Sequence, residues 1–307
     1  MAKLAEQLGY DGVWLNAGAL GGDPFVAFSF VAKATSKIKM GIGIVEPYTR
    51  HPAVIASSIA HLSAATDREL ILGIGCSRSE TLERVGMGWG GRGTRRIKES
   101  IEIIKPLLEG KVVDYDGKIF KMDKAQLRVK PKRPIPVIAS GQGPNMMKMA
   151  SKVADGLLRS KKAYDFDRES LASYHNYLKA AGRKATDIVM QLPVCVAEKR
   201  DEAINQLRPI VADRLLHADE LVTNTSGIDH ETALRYKEKP ETLPDKYVEM
   251  FSVVGTVDDC KEQLNELEST GVTEIYLWYP IRASSDVQVA TVTPLIERVG
   301  TDLLPAL

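Results

Sequence analysis

ASGQGPNMMKMASKVADGLLRS, residues 139–160, is the stretch whose reading decides the fold. The apolar run Ile135 to Ala139 leads into a loop with two glycines, and Pro144 stands where a first helical turn begins. A proline there gives up no needed backbone donor. A second apolar run, Ala154 to Leu158, follows the helix at once. Strand, glycine loop, helix and strand make one βα unit of a repeating α/β fold. Such a loop can aim free N–H groups at an anion, and the helix dipole adds to the attraction, which reads as a phosphate site. A glycine-tolerant turn with no ligand fits the same spacing. The loop is neither a G-x-G-x-x-G dinucleotide fingerprint nor a Walker loop, because no G-K-[ST] follows.

Outward from this unit the alternation continues. Strands are expected at Gly12–Leu15, Ile38–Gly43, Leu70–Ile74, Ile188–Val196 and Thr273–Trp278, besides the two just named. Between them, Ile97, Ile101, Ile104 and Leu108 line one helical face. Pro52 opens another helix, with Ile55, Ile59 and Leu62 as its inner line, and Thr256 with Asp259 makes a capping-box start that Gly271 stops. Val112–Met122, with Asp116-Gly117 at its centre, reads as a β-hairpin excursion. Residues from about 217 to 250 are polar and poor in strand signal, and read as a helical insertion before the last βα unit. The fold expected is therefore a (β/α)8 TIM barrel in a single domain, residues 1–307. Only seven strands are counted, and Met1 falls at an amphipathic helix that a strand would normally precede. The expectation is that the first strand is missing at the N-terminus; an open or seven-stranded sheet is the competing reading.

Composition narrows the functions. A chain of 307 residues with 44% hydrophobic content can bury one large core, and a net charge of +1 gives no general field for nucleic acid or membrane. Cys76, Cys195 and Cys260 lie far apart, without a metal pattern, which fits a reducing, cytoplasmic setting. No apolar run of about 18 residues occurs, and the opening MAKLAEQLGY reads as mixed and helical rather than as a signal peptide. Two local basic clusters stand out, Arg92, Arg95 and Arg96, then Arg128, Lys130, Lys132 and Arg133. They read as solvated loops and helix ends, or as a docking surface for an anionic cofactor tail.

In a barrel of this kind the active site lies at the C-terminal strand ends. Two neighbouring strands end in paired glycines, Gly41 with Gly43 and Gly73 with Gly75. Residues two apart share a strand face, so these pairs would clear one face for a flat ring to reach the backbone. Close strand–helix packing or a bulge is the alternative. The segment EPYTRHP, residues 46–52, offers donors at Tyr48, Thr49 and Arg50, or is only the turn into the next helix. No general acid is singled out, since Glu46, Asp67 and Glu80 all read as surface carboxylates.

VWLN, GIGIVEPYTRHPAVIASS, LILGIGCSRS, ASGQGPNMMKMASKVADG and FSVVGT, in this order, resemble the luciferase-like (bacterial luciferase-type) oxidoreductases. The likeness is nearest to the coenzyme F-420-dependent methylene-tetrahydromethanopterin reductase branch, and spares only residues 161–246. It implies a βα barrel with an insertion, a cytoplasmic homo-oligomer, and a phosphate belonging to F-420 (8-hydroxy-5-deazaflavin), or to FMN in sister branches. By position, Gly141, Gln142 and Gly143 would hold that phosphate through backbone groups, with Ser140 beside them as a further cofactor-binding residue. Gly43–Ile44 matches a non-prolyl cis peptide that backs the ring, and Asn16 and Cys76–Ser77 match other ring-lining positions. The chain departs from the branch at Arg78, where an aspartate is expected, and in lacking the strand that brings an acidic residue.

The resemblance implies hydride transfer between reduced F-420 and an organic acceptor, with methylene-tetrahydromethanopterin as the branch's substrate. An FMN-dependent monooxygenase is the first rival. A non-catalytic cofactor-binding barrel is the second, if the chain truly starts at Met1. A small-molecule substrate is expected in either enzymatic case, with no nucleic acid, membrane or metal involved.

Overall fold

The computed structural model describes residues 1–17, 21–77, 79–88, 90–162, 164–184, 186–216, 226–278 and 285–307, without the side chains of residues 164 and 285–291. Helix α1 (Ala2–Gln7) precedes β1 (Gly12–Leu15), α2 (Pro24–Ala34), β2 (Lys39–Val45), α3 (Pro52–Ala65) and β3 (Leu70–Ile74). A short α4 (Ser79–Glu83), the long α5 (Gly93–Leu108) and a hairpin of β4 (Val113–Asp116) and β5 (Lys121–Ala125) follow. Alternation resumes with β6 (Val137–Ser140), α6 (Pro144–Val153), β7 (Gly156–Ser160), α7 (Tyr164–Ala180) and β8 (Asp187–Leu192). Then come β9 (Val194–Val196), α8 (Arg200–Leu216), α9 (His230–Glu238), α10 (Asp245–Phe251) and β10 (Val253–Gly255). The final unit is α11 (Val257–Ser269), β11 (Glu274–Leu277) and α12 (Ser285–Arg298).

Seven of these strands form one parallel sheet in the order β1-β2-β3-β6-β7-β8-β11, a near-closed barrel. Strands that all run one way need crossover helices, and these cover the outer face. The edges, β1 and β11, are bridged by side chains: Trp14 stacks on Tyr276 at 5.2 Å, and its indole N–H donates to Glu274 at 2.8 Å. A cleft of about 1030 Å³ lies along this seam, between β1, β11 and α12.

The period-2 alternation of each strand sorts its residues into two cores. Ile71, Ile138, Leu158, Val189 and Tyr276 point inward and fill the barrel with Trp14 and Ile44. Met40, Ile42, Leu72, Val137, Leu157 and Ile188 belong to the larger core under the helices. There α5 contributes Ile97, Ile101 and Ile104, all fully buried, so the face read from the sequence is the face that packs. Truncating any one of them to Ala costs about 2–5 kcal/mol, because the neighbours cannot fully close the cavity.

The expected strand Ile188–Val196 is two strands. Pro193 has no N–H for the ladder, so barrel pairing stops at Leu192. The chain then pairs anew, β9 with β10, in a separate two-stranded sheet. Helices α8, α9 and α10 pack there on a core of their own around Leu207, Val211, Val248 and Phe251. Of the stretch read as a helical insertion, residues 217–225 lie outside the described residues.

These helices are tied to the end of β7. The Lys161 ammonium donates to the carbonyls of Glu249 and Met250 at 3.0 and 2.7 Å. Arg214 donates to the Lys161 carbonyl at 2.7 Å and lies over the Phe251 ring at 5.6 Å.

Candidate cofactor site

The residues expected at the site come from four adjacent strand ends. Asn16 follows β1, Gly43 and Ile44 are in β2, Cys76 and Ser77 follow β3, and Ser140 ends β6 before Gly141, Gln142 and Gly143. Packing brings them into one arc. A Cβ on Gly75 would lie 3.1 Å from the Ile44 side chain and 3.2 Å from Cβ of Ser140. The Ala17 N–H donates to the Ile44 carbonyl at 3.0 Å, so the chain beyond Asn16 crosses the end of β2. The Gly43–Ile44 peptide is cis. Ser77 has φ +62°, a left-handed conformation rare for a residue with a side chain and characteristic of functional loops. Arg78 lies outside the described residues.

The start of α6 fits an anion. Gly143 is its N-cap and makes no side-chain cap hydrogen bond, and Pro144 takes the first helical position. The next N–H groups therefore lack the partner a capping side chain would supply. Open space surrounds the position of an added Gly143 Cβ, whereas at Gly141 it would strike Met146 at 2.3 Å. The buried Gln142 amide oxygen has no hydrogen-bond partner among the described residues. Turned end for end, that amide would offer donors in the same place. Uncapped helix, cleared glycine and orphaned amide together suit a phosphate.

The glycine pairs need a different account from the one their spacing suggested. A Cβ on Gly41 would fall 2.4 Å from the Trp14 indole, and one on Gly43 would lie 3.1 Å from it and 3.3 Å from Tyr276. The face they clear is filled by rings of the barrel's own interior. At Gly73 the close neighbour is the Ile42 carbonyl, at 2.5 Å, which is tight packing between strands.

EPYTRHP likewise spends its donors on itself and its neighbours. The Tyr48 hydroxyl donates to the Cys76 thiol, and the Arg96 guanidinium covers the Tyr48 ring at 4.5 Å. Burial, the main cause, pushes the Cys76 thiol up to about 11, so this cysteine is no ready nucleophile at neutral pH. Arg50 pairs with Asp23 at 2.5 Å, and Pro52 opens α3 as the turn reading required.

Glu46 overturns its reading as a surface carboxylate. It directly follows the last residue of β2, is only 2% exposed, and accepts a hydrogen bond from Thr49 at 2.9 Å. Its second oxygen is buried and has no hydrogen-bond partner among the described residues. Burial raises its pKa, against the opposing pull of Thr49 and Arg50. Asp67 and Glu80 are exposed, as expected. Nothing in the local sequence marks Glu46, because burial is set by what packs around a residue and not by its neighbours in the chain.

The model of the luciferase-like monooxygenase family matches residues 1–274. The chain is 31% identical to a 5,10-methylenetetrahydromethanopterin reductase of Archaeoglobus fulgidus, over 99% of this chain and 94% of that protein. It is also 31% identical to a reductase of the same name from Methanolobus tindarius, over 91% of this chain and 89% of the other. Among solved structures, the coenzyme F420 dependent tetrahydromethanopterin reductase from Methanopyrus kandleri aligns with a TM-score of 0.85 at 26% identity, covering 99% of this chain and 93% of that one.

Proposed function

This chain belongs to the luciferase-like monooxygenase family, and we propose that within it the protein is a coenzyme F-420-dependent oxidoreductase. It moves a hydride between the reduced deazaflavin and an organic acceptor, and the likeness to two reductases brings forward methylene-tetrahydromethanopterin as that acceptor. The observation that carries the reading is the uncapped, glycine-cleared start of α6 at the end of the barrel where the arc of strand ends meets. The cofactor, when bound, supplies the hydride chemistry; the protein supplies position, electrostatics and exclusion of water. Gly141, Gln142 and Gly143 hold its phosphate, while Gly43, Ile44, Asn16, Cys76, Ser77 and Ser140 line the ring. Glu46 is the carboxyl that keeps a proton at the mouth, since it is buried, half-satisfied and raised in pKa.

We place the protein in the cytoplasm as a homo-oligomer, in keeping with its three free thiols and with the resemblance. One barrel domain spans residues 1–307, with the helices between β9 and β10 as its insertion. Titrating F-420 and FMN side by side, followed by deazaflavin fluorescence and flavin absorbance, tests the cofactor. Saturable binding of F-420 with little affinity for FMN is expected, and a preference for FMN would overturn the reading.

A further inference from the structure

Arg96 belongs to the basic cluster Arg92, Arg95 and Arg96, but its half-buried side chain is engaged within the protein. Among the described residues it makes no ion pair. Its guanidinium lies against two rings, 4.5 Å from the centre of Tyr48 and 5.4 Å from that of Phe120, and donates to the Pro47 carbonyl at 3.2 Å. Three pieces of chain therefore meet on one side chain. Pro47 and Tyr48 belong to the turn from β2 into α3, Phe120 to the β4–β5 hairpin, and Arg96 itself to α5. The hairpin is fixed to α5 independently, because the Glu99 carboxylate accepts the N–H groups of Ile119 and Phe120 at 2.9 and 3.1 Å. With Ile97 and Ile101 fully buried beside it, Arg96 presses from an anchored wall onto the two residues that follow Glu46.

Glu46 needs such support. Its carboxyl is 2% exposed, and its one hydrogen bond comes from Thr49, a residue that is itself exposed. A half-satisfied carboxyl gains free energy by moving into water, so the packing of the turn is what keeps it inside. The Tyr48 hydroxyl ties that turn to the Cys76 thiol, and Arg96 covers the same ring. A flat guanidinium holds a ring face and a carbonyl at once, which a lysine ammonium does not.

We propose that Arg96 is a positioning residue for Glu46: it clamps Pro47 and Tyr48 and so holds the carboxyl in its buried seat at the end of β2. This rests on the reading of Glu46 above as the carboxyl that keeps a proton at the mouth. Charge alone would act the other way. A nearby cation favours the carboxylate, so losing it raises the pKa of Glu46, whereas releasing the turn hydrates the carboxyl and lowers it. The other groups about the turn are settled. Arg50 pairs with Asp23, and burial, the main cause, pushes the Tyr48 hydroxyl up to about 12 and the Cys76 thiol up to about 11, so both stay neutral.

The experiment follows the protonated-carboxyl band of Glu46 by infrared difference spectroscopy of the whole protein before F-420 is added. The titration runs from about pH 4 to about pH 9, and the band is assigned by its loss in Glu46→Gln. Arg96→Lys keeps the charge but loses the flat fork, and Arg96→Gln loses both. In each, the midpoint should fall by about one pH unit or more toward the ordinary carboxyl value, and the alkaline decline of turnover should fall with it. Tyr48→Leu, which removes the ring and leaves Arg96 in place, should move the midpoint the same way. Ile101→Val, a loss of packing elsewhere on α5, should not move it. A midpoint unchanged in Arg96→Lys and Arg96→Gln overturns the proposal and leaves the reading of Glu46 standing. So does a rise in Arg96→Gln with no change in Arg96→Lys, which would make Arg96 a charge and not a clamp. If Glu46→Gln removes no band, Glu46 is ionised throughout, and its reading falls together with this proposal.

Discussion

Gly143 has φ −81° and ψ 157°, values any residue adopts, and open space where a Cβ would go. Substituting Asp there should leave the barrel intact and improve the N-cap, by roughly a few tenths of a kcal/mol of helix stability. The same carboxylate would stand against a bound phosphate. Gly143→Asp is therefore expected to hold or raise the melting temperature while weakening F-420 binding about fivefold or more, on the scale of one opposed charge pair of about 1 kcal/mol or more. Undiminished affinity would remove the phosphate from this loop. Glu46 makes a separate prediction. If its carboxyl holds a needed proton, turnover falls as pH rises through its raised pKa, and Glu46→Gln, which keeps an acceptor for Thr49, should give a low and flat profile with unchanged cofactor affinity. An unaltered alkaline decline in Glu46→Gln would acquit this residue. The start of α6 was legible because Pro144 fixes its own φ and opens a helix without giving up a needed donor, whatever surrounds it. Glu46 was not, because burial is a property of the packed neighbours and leaves no local mark.

The start of α11 shows an element written fully into local sequence. Thr256 accepts the Asp259 N–H at 3.3 Å, and Asp259 accepts the Thr256 N–H at 2.8 Å, as the spacing of the two residues implied. Thr256→Ala removes the first of these bonds and should cost about 1 kcal/mol in urea unfolding, with Thr256→Ser restoring most of it. Equal midpoints for all three proteins would show the cap to be idle. At the other end Gly271, at φ +92°, stops the helix in the left-handed region that glycine tolerates best. Strands were less completely legible. β1 and β3 have the expected bounds, but β6 starts two residues late because Pro136 cannot enter a ladder, and Ala154 closes α6 before it can begin β7. The β9–β10 pairing joins segments almost sixty residues apart, beyond the reach of any local period.

For the molecule as a whole, the junction between the barrel and the α8–α10 helices is the place where pH should register. Lys161 is buried at the end of β7, and desolvation is the main cause that brings its pKa down to about 8, with Asp167 opposing and Arg214 assisting. A neutral amine still has two N–H donors, enough for the carbonyls of Glu249 and Met250. In the unfolded chain the same amine titrates near its ordinary value of about 10.4. Between pH 8 and that value the unfolded state binds more protons than the folded one, so this group makes stability rise with pH. Other groups titrate in the same range, and the difference from Lys161→Met, which keeps the apolar stem, isolates the contribution of this one. Urea unfolding of both proteins from pH 7.5 to 10 should show the parent gaining on the variant by on the order of 1–3 kcal/mol across the window. A constant difference would mean that Lys161 stays protonated in the folded junction, held by the carbonyl end of α10 and by Asp167, and that the helices beside the barrel are docked by a charge rather than by a neutral hydrogen-bond donor.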